Sequence, residues 1–123
     1  MDQFLQATLT GLAAAAVLAV AASGLVLTYT TTGIFNFAHG AVGMLGAFAY
    51  WQLRFGWGWS TPLALVVVLG LLAPLLGVVI ERVVMRGLYD APEPSRVVVS
   101  IGLLAALLGL GLWMWPPDVA RPF

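Results

Sequence analysis

Two side chains able to trade hydrogen bonds stand three residues apart in the apolar stretch "GIFNFAHGAVGMLGAFAY", Gly33 to Tyr50: Asn36 and His39, the chain's single histidine. An imidazole can relay protons, ligate a metal or orient a polar solute. Relay is poorly served, because no Asp or Glu falls within the surrounding apolar segments to pass a proton onward. A metal centre needs carboxylates close to a lone histidine, and the acids sit elsewhere in a chain without cysteine. Hydrogen bonding remains, either to a solute or to a neighbouring helix. Both stay open for His39, whereas a neutral Asn36 taken alone favours packing. The serines Ser23 and Ser100 sit in no recognisable nucleophile setting, so an intramembrane hydrolase fits poorly.

The elements that hold these residues follow from composition. The 123 residues are 62% hydrophobic and 8% charged, with a mean hydropathy of +1.03, which places the chain in a membrane. Five arginines, no lysine and five acids balance to zero, so no basic surface recommends nucleic acid as a partner. "AAAAVLAVAAS", Ala13 to Ser23, has the small residues of a signal-peptide cleavage site. The preceding "MDQFLQATLT" lacks a positive region, however, and the apolar run continues to Leu27, so it reads as a retained helix.

Crossing a hydrocarbon core of about 30 Å takes about 20 apolar residues as helix. Four uncharged windows of that size predict spans at about 5–27, 34–53, 62–80 and 97–115. No ten-residue alternating segments suggest a barrel, so the fold class is an all-α polytopic transmembrane bundle. Pro74, pressing on the Gly70 carbonyl, predicts a bend in the third span.

In the second span, a helical period puts Asn36, His39, Gly40, Gly43, Ala47 and Tyr50 on one side, with Phe37, Ala41, Met44, Leu45 and Phe48 largely opposite. A small polar face in lipid seeks other protein, so this helix is expected in the interior, with Gly40 and Gly43 allowing close approach. Thr30, Thr31, Thr32, Gly33 and Asn36 are poor helix formers, which leaves its beginning open to a broken or re-entrant path.

Three arginines in the third loop (Arg82, Arg86, Arg96) against two on the other side (Arg54, Arg121) favour a cytoplasmic third loop and an N-terminus outside. Trp51, Trp57, Trp59, Trp113 and Trp115 then form one aromatic belt at the outer interface. Glu81, Arg82 and Arg86 read as an interfacial charged cap, with docking as the lesser alternative. "APEPS", Ala91 to Ser95, is a stiff turn.

At "GIFNFAHGAVGMLGAF" the sequence resembles the integral-membrane permeases of branched-chain amino acid ABC importers, whose first half carries an Asn-Phe-Ala-His-Gly segment. "GLVLTYTTTGIFNFAHG" is similar to that family's approach to the motif, with Thr30 where glycine is usual. Glu81, Arg82 and "RGL" at Arg86 to Leu88 resemble its Glu-Arg and Arg-Pro-Leu signature, with Gly87 in the proline's place. "VSIGLLAALLGL" fits the next helix. Family members continue through further helices, so 1–123 reads as a single but incomplete permease domain.

The resemblance implies a multi-pass protein of the plasma (inner) membrane, working with a second permease subunit, two cytoplasmic ATPases and an extracytoplasmic substrate-binding protein. It implies transport rather than catalysis, and no cofactor is expected; no phosphate-cradling Gly-rich Lys-Ser/Thr loop occurs in the chain. Asn36, Phe37, His39 and Gly40 would line or brace the translocation path. Gly43, Gly46 and Ala47 would pack helices, and Glu81, Arg82 and Arg86 would lie in the cytoplasmic loop. Permeases for urea or short amides are similar in these segments, and a small accessory membrane protein binding partners through the Gly40 and Gly43 face is the alternative from another class.

Overall fold

Hydroxyl-rich "TYTTTG" extends the first helix instead of ending it. In the computed structural model, which describes residues 1–120, helix α1 runs Asp2–Thr32, longer at both ends than the span read from the sequence. The threonines fit because each hydroxyl is satisfied within the helix. Thr28 Oγ1 donates to the Gly24 carbonyl at 2.9 Å, Thr31 to Leu27 at 2.8 Å and Thr32 to Thr28 at 2.6 Å. Back-bonding of this kind removes the cost of unpaired hydroxyls in lipid. The helix stops at Gly33, whose φ of 68° suits a residue without Cβ, and its N–H returns to the Tyr29 carbonyl at 2.8 Å. This first unit, Met1–Phe35, is the α1 helix and its cap.

The second unit begins at Asn36. Helix α2 is His39–Trp51, followed without interruption by a π-helical turn at Gln52–Gly56. The sequence places the second span at Ile34, and this is corrected: Asn36 Oδ1 accepts the Ala38 N–H at 3.0 Å, and the Asn36 carbonyl accepts that of His39 at 3.2 Å. This Asx-type turn competes with helix and delays it by five residues. The thirteen residues of α2 and the five of the π turn together cover about 25 Å, a little less than the hydrocarbon core.

The chain reverses through Gly58, at φ 70°, into α3 (Thr61–Val67), a second π turn (Val68–Leu72) and α4 (Ala73–Val83), which a 3-10 turn prolongs to Leu88. Arg54 holds the reversal. Its Nε donates to Thr61 Oγ1 at 2.9 Å and its Nη1 to the Trp59 carbonyl at 3.4 Å. The expected bend appears as the second π turn, where the Ala73 N–H reaches back five residues to the Val68 carbonyl. One extra residue in the turn relieves the pressure of the Pro74 ring on Gly70.

Helix α5 (Glu93–Met114) starts at Pro92, with proline again in its first turn. Its fully buried Ser100 hydroxyl donates to the Val97 carbonyl at 3.0 Å. Among the described residues, three helices are long and apolar enough to cross a membrane: Asp2–Thr32, Thr61–Leu88 and Glu93–Met114. No strand occurs among the described residues. Arg121, counted above with the outer charges, lies outside them.

Candidate functional site

Within the second unit α2 is central, with the Thr61–Leu88 helix antiparallel on one side and α5 parallel on the other. Leu53 of the first π turn packs with Ala64 and with Val68 of the second, ringed by Ala49, Tyr50 and Trp59. On the opposite side, Ala41 and Leu45 are buried and Gly111 of α5 approaches so closely that a Cβ there would lie 2.6 Å from Met44 Cε. One turn on, Phe48 and Trp115 stack with centroids 5.4 Å apart, and Trp115 Nε1 donates to Gln52 Oε1 at 3.3 Å. The Gln52 amide also lies over Gly56, where a Cβ would collide with it.

The bulky face of α2 is thus the one used inside the chain. Gly40, Gly43 and Ala47 on the small face are exposed, and a Cβ on Gly40, Gly43 or Gly46 would meet nothing within 4 Å. Within the chain it is Gly111 that makes room for a neighbour, the end of the Met44 side chain, a position the sequence does not distinguish from the other glycines of α5.

Beside the small face lies a hollow of about 420 Å³. His39, Gly43, Gly46, Ala47 and Tyr50 line it from α2, while Leu65, Val68, Leu69 and Ala73 line it from the facing helix, around the second π turn. Four of the residues singled out in the sequence, His39, Gly43, Gly46 and Ala47, therefore meet in one place. The others do not join them. Asn36 is half-buried and engaged in the turn before α2, and Phe37 and Gly40 are exposed outside the hollow's lining. A second hollow, of about 400 Å³, opens between α2, α4 and α5 and is closed at one end by Gln52 and Trp115.

The charged residues of the third loop gather at the far end of the unit. Tyr89 donates its hydroxyl to Glu81 Oε1 at 3.3 Å, and Arg82 and Arg86 are exposed. The organiser of this loop is Arg96, which the sequence marks only as one charge among three. Its Nη2 donates to the Tyr89 carbonyl at 2.6 Å and its Nε to the carbonyls of Leu88 and Ala91, both at 3.0 Å. At the opposite end the Trp57 and Trp59 rings lie 5.9 Å apart. Among the described residues no three His, Asp or Glu side chains come together as a metal site would need.

The hollow carries a histidine and a tyrosine on otherwise aliphatic walls, a composition suited to holding a small solute in a membrane. One protein family's pattern, described as branched-chain amino acid transport system, permease component, matches residues 7–117. The chain belongs to this permease family. No curated protein and no solved structure gives a match. The permease is a membrane protein and a transport subunit rather than an enzyme, working within a transport system. Its matched region takes in every residue of both hollows and the Glu81 to Arg96 loop.

Proposed function

We propose that this permease forms part of the translocation path of an ABC importer for branched-chain amino acids in the plasma (inner) membrane. The observation that carries the reading is the hollow that joins His39, Gly43, Gly46 and Ala47 to the π turn of the facing helix. Aliphatic walls suit an amphiphilic solute, and His39 and Tyr50 offer hydrogen bonds to its polar end.

Asn36 and Phe37 brace the start of α2, and Gly40 leaves room beside His39. The open space over Gly40, outside the hollow, supports packing of that edge of α2 against a second permease subunit. The loop with Glu81, Arg82 and Arg86 faces the cytoplasm and the ATPase subunits. The N-terminus and the tryptophan end face outward, where the substrate-binding protein docks. Leucine uptake by the complete transporter tests the reading: His39→Ala is expected to reduce uptake severalfold with normal assembly. Unchanged uptake at normal assembly would remove His39 from the path.

A further inference from the structure

The two hollows on either side of α2 are not independent. Val42, Gly46 and Ala73 line both, so these three residues form the saddle between them, where α2 meets the start of α4. Two of its three residues are the smallest available, and Gly46 has free space for a methyl group. The hollows differ in chemistry. The first carries His39 and Tyr50, whereas the second presents leucines, among them Leu45, Leu72 and Leu110, with Gln52, Trp57 and Trp115 as its polar residues.

We infer that Gly46 and Ala73 set the substrate's side-chain size. A small amphiphilic solute rests its amino and carboxylate groups in the first hollow and passes its aliphatic side chain over the saddle into the second. Each hollow is within the range of small-molecule sites, about 300–1,000 Å³, so the height of the saddle, not the volume beyond it, limits what fits. This rests on the branched-chain transport reading and adds the residues that would discriminate among its substrates. Each added methyl on the saddle penalises long or branched side chains and leaves short ones alone, because it obstructs only what must cross.

The test is uptake of alanine, valine, leucine and isoleucine by the complete transporter, carrying the permease as wild type, Gly46→Ala, Gly46→Val or Ala73→Val. Gly46→Ala adds the smallest side chain, into space that is open within the chain, and assembly of the complex is checked beside uptake. The expected result is a stepwise fall in kcat/KM for leucine and isoleucine relative to alanine, reaching about tenfold for the valine variants. Equal ratios in wild type and variants, with the wild type transporting leucine, would overturn the saddle alone. A correctly assembled wild-type complex that takes up none of the four would overturn the transport reading itself.

Discussion

Asn36 Oδ1 accepts the backbone N–H of Ala38 at 3.0 Å, so the one amide side chain near His39 is spent on shaping the turn that launches α2. His39 follows as the helix's first residue, and its position in the hollow depends on where that turn ends.

Loss of this bond should act on structure before transport. Asn36→Ala is expected to cost about 1 kcal/mol, as removal of comparable helix-start caps does, while Asn36→Asp, which keeps the acceptor, retains most of it. Denaturation of the purified permease in detergent measures the difference. Equal stability of the two variants would show that the Asx turn is not what fixes the start of α2.

Gln52 and Trp115 join helix ends that lie 63 residues apart in sequence. A double-mutant cycle with Gln52→Leu and Trp115→Phe should give a coupling of about 0.5–1.5 kcal/mol, the net worth of a neutral hydrogen bond. Trp115→Ala should lose a further contribution of about 0.5–1.5 kcal/mol from the stack on Phe48. Additive single effects would mean that the two side chains do not interact.

Gly111 of α5 lies against the side-chain ends of Met44 and Leu45 on α2. Gly111→Val is expected to destabilise by about 1–3 kcal/mol through overpacking against Met44. Met44→Ala in the same chain should restore part of the loss, because the crowded atom is the end of the Met44 side chain. Absence of any rescue would place the close approach elsewhere.

The sequence reveals the long apolar helices plainly, because lipid leaves the backbone no other way to satisfy its hydrogen bonds. Its helical period also separates the two faces of α2. What it obscures is which face the chain itself uses. The 3.6-residue pattern marks Gly43 and Ala47 as one stripe, but only the facing helix makes that stripe a hollow, and only Gly111 brings α5 onto Met44. The end of α1 is misjudged because threonine propensities come from water, where a hydroxyl has alternatives to the helix's own carbonyls. Arg96 escapes notice because its value lies in three carbonyls that the Leu88 to Ala91 turn aims at it. The π turn is legible in part: Pro74 announces a disturbance, and its form as an extra residue at Val68–Leu72 depends on packing against Leu53.

Movement of solute through the hollow beside the small face of α2 can be measured directly, because these 123 residues contain no cysteine. A single Gly43→Cys, placed where a side chain has room, would be reacted with a methanethiosulfonate reagent in the complete transporter, with partner subunits freed of reactive cysteine. Modification is expected to reduce leucine uptake severalfold, and excess leucine to slow the modification. Full modification with unchanged uptake would contradict movement through the hollow.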